Sequence, residues 1–106
     1  MTEKEFDKLR IQLNEYSFEI MRKKRPEYTN KNKDVLHNFK NTAKKLNISP
    51  LKVWAIFFDK QLQSIFTHVD NENLEKSEPI KSRFADVINY CYLGYAFCIM
   101  AFIISN

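Results

Sequence analysis

Apolar residues recur along this chain at helical spacing in four stretches, separated by short polar segments. In the first stretch Phe6, Leu9, Leu13, Tyr16 and Ile20 follow one another at intervals of three and four, which places them on one seam of a helix. This predicts helix 1 over residues 3–24, ended by Pro26, because the residue before a proline is pushed out of helical backbone geometry. A polar loop is expected over 25–33. Helix 2 is predicted over 34–46, with Asp34 as its cap and Leu36, Phe39, Ala43 and Leu46 facing inward.

Asn47-Ile48-Ser49-Pro50 carries a stop and then a start. Ser49 suits a cap, and Pro50 suits a first helical position, where a missing N–H is harmless. Helix 3 then runs over 50–69 with Leu51, Trp54, Phe58, Leu62, Ile65 and Val69 on one face. An acidic loop over 70–76 leads to Ser77-Glu78-Pro79, which opens helix 4. From position 87 to 104 that helix is apolar almost all round, so it is expected to be central or covered by a second copy of the chain.

The expectation is one all-α domain over 1–106, with four helices, a C-terminal antiparallel hairpin and a homo-oligomeric assembly. With 106 residues there is room for one core. One Gly and three Pro leave little material for the many tight turns of a sandwich or barrel. Net charge is +4, and it is uneven: residues 1–45 hold twelve Lys/Arg against seven Asp/Glu. Cys91 and Cys98 sit seven apart among large apolar residues, which predicts inert core thiols in a reducing compartment. No apolar run follows the charged first residues, so no signal peptide is expected and the cytoplasm is the predicted location.

Residues 42–54 have the spacing of a helix-turn-helix. Its second helix, however, would offer Leu51, Trp54, Ala55, Phe57 and Phe58 to the base edges, where polar side chains are needed, so DNA is not the expected partner. The apolar C-terminal stretch reaches spanning length. Asn89, Tyr90, Tyr92, Gly94 and Tyr95 dilute it and no basic residue follows, so a core or subunit interface is preferred to a membrane anchor.

Polar chemistry concentrates on two lines. Helix 3 carries Lys60, Ser64 and His68, four apart, and helix 4 carries Glu78, Ser82, Asp86 and Asn89. In an antiparallel hairpin, equal distances from the loop set His68 against Glu78, Ser64 against Ser82 and Lys60 against Asp86. Two readings are open: interhelical bonds that fix register, or a pocket whose convergent polar groups orient a small ligand. Arg83 and the Arg22–Arg25 cluster are candidate phosphate contacts, with Tyr28, His37 and Asn38 completing the pocket.

Tyr28, His37-Asn38-Phe39, Ala43, Lys60, Ser64, Glu78-Pro79-Ile80 and the run from Arg83 to Tyr90 resemble small phage-encoded helical proteins. These are grouped with nucleotide-modification-associated domains and with the all-α nucleoside-triphosphate pyrophosphohydrolases. The resemblance covers about residues 27–100. It implies a nucleotide-like ligand contacted by Tyr28, His37, Asn38, Lys60, Ser64, Arg83, Asp86, Asn89 and Tyr90, in the cytoplasm of a bacterial host. It also implies, for an enzyme, Mg²⁺ held by acids on two helices, with Glu78 and Asp86 at the matching positions. Where paired glutamates belong, helix 3 has Lys60, Gln61 and Ser64, with Asp59 its one acid. A lysine in a metal cage repels the ion. The expectation is therefore a phage-type accessory protein that binds, and sequesters, a nucleotide or nucleotide-derived signal without a cofactor. The alternatives are Mg²⁺-dependent hydrolysis and a non-catalytic protein-interaction module.

Overall fold

A computed structural model describes residues 1–29, 33–71 and 80–105. These form four α-helices, and no strand occurs among the described residues: α1 (Glu3–Thr29), α2 (His37–Leu46), α3 (Pro50–Asp70) and α4 (Ile80–Ser105). The molecule is all-α, as the periodicity predicts.

Helix α1 begins with a reciprocal cap. The Glu5 N–H donates to Thr2 Oγ1 and the Thr2 N–H donates to Glu5 Oε2, both at 3.1 Å. Each side chain thus satisfies a backbone donor that the first turn would leave open. The helix runs beyond its predicted stop and contains Pro26. Proline removes the bond to the carbonyl four residues back, that of Arg22. Both Arg22 and Pro26 lie on the exposed side, where water can donate to the freed carbonyl in place of the missing N–H.

Asp34 does not cap α2 directly. Its carboxylate accepts the Leu36 N–H at 3.0 Å, its carbonyl accepts the His37 N–H, and helix begins only at His37. This is a turn built by an aspartate two residues ahead of its donor. Lys40 closes the turn with an ion pair to Asp34 at 2.6 Å. Asn47 ends α2 in the left-handed region, at φ 55°, its N–H donating to the Ala43 carbonyl. Ser49 accepts the Lys52 N–H at 3.1 Å and Pro50 opens α3, as their order predicts.

Helix α4 packs on α3 and on α1, and α2 packs on α3. On α4 a stripe of Ala85, Asn89, Leu93 and Phe97, four apart, is buried. Leu36, Leu93 and Phe97 centre the core, joined by Met21, Phe39, Trp54, Ala96 and Met100. Phe39 meets Phe57, Tyr90 and Phe97 edge-on, with ring centres 5.7–6.1 Å apart.

The opposite stripe of α4 is open. Tyr92, Tyr95, Ile99, Cys91 and Cys98 are exposed, which corrects the expectation of core thiols. Seven residues are almost two full turns, so both cysteines share one face, and it is the face turned away from Leu93 and Phe97. The span Ile80–Ala101 is long and apolar enough to cross a membrane, with mean hydropathy 1.3, and 22% of it is buried within the fold.

Candidate ligand groove between α1 and α4

The polar residues of α4 turn toward α1. The Tyr16 and Ser82 hydroxyls bond at 2.7 Å, Asn89 Nδ2 donates to the Ser17 carbonyl at 2.9 Å, and Lys24 Nζ lies 3.9 Å from Asp86. Lys81 places its ammonium 4.3 Å from the centre of the Tyr16 ring. The physical reason is spacing. Ser82, Asp86 and Asn89 are four and three apart, hence on one stripe, and that stripe meets the Tyr16 hydroxyl, the Lys24 ammonium and the Ser17 carbonyl of α1.

The α3 side is built differently. Trp54 Nε1 donates to the Tyr90 carbonyl at 2.7 Å, and the indole stacks on Phe58 with ring centres 5.0 Å apart. Its ring lies so close to Gly94 that a Cβ there would fall inside it. Glycine in mid-helix costs roughly 1 kcal/mol against alanine, and here it is required by that close approach. Arg83 crosses the same contact, its Nη1 donating to the Ser64 carbonyl.

The sequence-predicted site residues therefore spread over three places. Asp86 and Asn89 sit at the α1–α4 contact. Ser64, through its carbonyl, and Arg83 tie α3 to α4, while Tyr90 belongs to the aromatic cluster around Phe39. His37 and Asn38 are half-buried at the start of α2, and Lys60 is exposed on α3. The expected opposition of Lys60 to Asp86 and of Ser64 to Ser82 is not what forms: Asp86 meets Lys24 and Ser82 meets Tyr16. Tyr28 is in the last turn of α1, with its side chain outside the described residues, and Glu78 lies outside them altogether. Asp86, the other expected metal ligand, has the Lys24 ammonium beside it. Among the described residues no group of three or more His, Cys, Asp or Glu gathers.

Beside the Asn89–Ser17 bond the two helices diverge into a groove of about 540 Å³, lined by Asn14, Ser17, Phe18, Met21, Arg25, Asn89 and Tyr92. That volume lies within the range of small-molecule sites, roughly 300–1,000 Å³. Phe18 is 65% exposed and Tyr92 67%, so two aromatic faces stand open at the groove. The floor holds Ser17 and Asn89, both buried. Ser17 spends its proton on the Asn14 carbonyl at 2.9 Å, which leaves its oxygen lone pairs as acceptors. Arg25 brings a guanidinium to the wall.

Of the predicted residues, Asn89 lines this groove. Arg25 came from the basic cluster, whereas Asn14, Ser17, Phe18, Met21 and Tyr92 went unnoticed. A signal existed: Asn14, Phe18, Met21 and Arg25 are four, three and four apart, a second helical line beside the apolar seam. Comparison of the chain with family models, with curated proteins and with solved structures gives no match.

Proposed function

We propose that this protein binds a nucleotide or nucleotide-derived small molecule in the groove between α1 and α4 and holds it without turnover. The observation that carries the reading is the composition of that groove: two exposed aromatic rings, a guanidinium, and a buried amide and hydroxyl at the floor. Phe18 and Tyr92 supply faces for a base, and stacking of this kind is worth roughly 1–3 kcal/mol per base. Arg25, which already has a partner within the chain, adds positive charge at the groove wall for a phosphate. Arg22, Lys23 and Lys24 add positive potential along the adjoining turn of α1, although Glu19 and Asp86 each offset one of them. Sequestration asks for such complementary groups and for no catalytic residue. The resemblance to small phage-encoded helical proteins supplies the biological setting: a sponge that removes a host immune signal.

In this reading α3 and α4 act as one antiparallel hairpin, and α1 is laid against it to complete the site. The protein also self-associates, since Phe6, Leu9, Phe84, Tyr95 and Ile99 remain exposed on the single chain.

The test is a thermal-shift panel of nucleoside mono-, di- and triphosphates and cyclic oligonucleotides, with and without Mg²⁺. Binding followed by recovery of intact ligand after heat denaturation supports sequestration. A hydrolysed product that appears only with Mg²⁺ establishes the enzymatic alternative. No shift with any member of the panel removes the proposal.

A further inference from the structure

The first twelve residues of the chain are exposed at every position, although ten of them are helical. A helical segment of that length is marginal in water by itself, and most helical stability in proteins comes from covering an apolar face. The Thr2–Glu5 cap fixes where the helix starts but covers nothing. The seam Phe6, Leu9, Leu13, Tyr16, Ile20 has coiled-coil spacing, and its hydrogen bond to α4, from Tyr16 to Ser82, lies in its second half. In the first half Phe6 is 53% exposed and Leu9 45%. Beside them lies a second groove of about 370 Å³, walled by Leu9, Leu13, Ile80 and Phe84, with Gln12 and Lys81 on its rim.

We infer that this face is the homodimer interface, closed by a second copy of the same chain running antiparallel. The patch is self-complementary. It carries an apolar knob, Phe6, and an apolar groove one turn away, and a twofold axis inserts each copy's knob into the other's groove. Stacking Phe6 on the second copy's Leu9 fixes the register. That register sets Glu3 across from Arg10 of the second copy, twice, and brings Glu5 to the side where Gln12 and Lys81 stand. It places no like charges opposite one another at the seam's edges. The side chains flanking the seam, Glu3, Glu5 and Asp7 against Lys4, Lys8 and Arg10, balance in charge, so the segment lacks the basic face with which an interfacial helix meets an anionic lipid surface. Two exposed side chains and one groove make a modest patch beside standard interfaces of roughly 1,600 Å², so association is expected to depend on concentration. The inference is independent of the ligand groove, since the two share no lining residue.

Sedimentation velocity from 1 to 300 μM tests it on the full chain. The wild type is expected to shift from monomer to dimer over that range, and Phe6→Glu to remain monomeric with the circular dichroism spectrum of the dilute, monomeric wild type. Charge reversal distinguishes a second copy from any other partner: Glu3→Arg and Arg10→Glu should each weaken the dimer by three- to tenfold, and the double variant should restore it. A wild type that is monomeric at 300 μM overturns the inference. So does a Phe6→Glu protein that dimerises like the wild type, or a double variant weaker than both single ones.

Discussion

Helix α4 has two neighbours, and the two contacts are opposites. Against α3 it presents Gly94 and the Tyr90 carbonyl to an indole, and the joint is aromatic and close-fitting, tied by the Trp54–Tyr90 and Arg83–Ser64 hydrogen bonds. Against α1 it presents Ser82, Asp86 and Asn89, and the joint is polar, held at points and open between them. A dry contact yields stability because close-packed atoms gain dispersion and leave water. A polar contact yields less, since each bond replaces one to water. What the polar contact offers instead is unfilled, chemically varied space. The α3 side holds the molecule together, and the α1 side is where it can hold something else.

The sharpest way to break this contrast is to remove its anchor. Trp54→Ala should destabilise the fold by about 3 kcal/mol in urea denaturation, a loss within the usual range for truncating a core aromatic. A cost under about 1 kcal/mol would mean that the α3–α4 joint is not the structural one. Next comes Gly94→Leu, which forces a side chain into the indole. Overpacking of this kind costs roughly 1–3 kcal/mol, and Gly94→Ala should cost less because alanine regains helix propensity.

On the polar side, Asn89→Ala should cost about 1–2 kcal/mol, the value of one buried hydrogen bond to a carbonyl that keeps its helical partner. Phe18→Ala and Tyr92→Ala should leave stability within roughly 0.5 kcal/mol, since both rings are exposed, yet weaken ligand binding tenfold or more. Calorimetric titration alongside thermal melts separates the two effects.

The smallest effect concerns pH. The Lys40 ammonium, with the Leu36 N–H, holds the Asp34 carboxyl below its ordinary value. A carboxylate depressed in the folded state adds stability above its unfolded pKa and loses it as pH falls through the folded one. Lys40→Met should raise the Asp34 pKa in carboxyl-detected NMR titration. The side chains of the pair are 37% and 38% exposed, so solvent screening keeps the stability change slight.

Helix number and type were legible because apolar spacing in α1 to α3 is regular, and Ser49-Pro50 announces a helix start by chemistry alone. The facing of α4 was not legible. A helix apolar nearly all round offers no period from which to choose a side, so its polar line was assigned to the sequence neighbour α3 when it belongs to α1. The same ambiguity hid the exposure of Cys91 and Cys98. At the site, Asn89 could be found from the line of polar residues on α4. Phe18 and Met21 lie on a second helical line with Asn14 and Arg25, but the stronger seam at Leu13, Tyr16 and Ile20 accounts for the periodicity of α1 by itself and masks it.

Amide chemical-shift mapping on ¹⁵N-labelled protein, titrated with the best-binding nucleotide of the panel, tests the central claim most directly. The account predicts saturable shifts concentrated at Ser17, Phe18, Met21, Asn89 and Tyr92, with Lys60, His37 and Asn38 unmoved. Shifts centred on Lys60, His37 and Asn38 instead, or none at any residue, would contradict it.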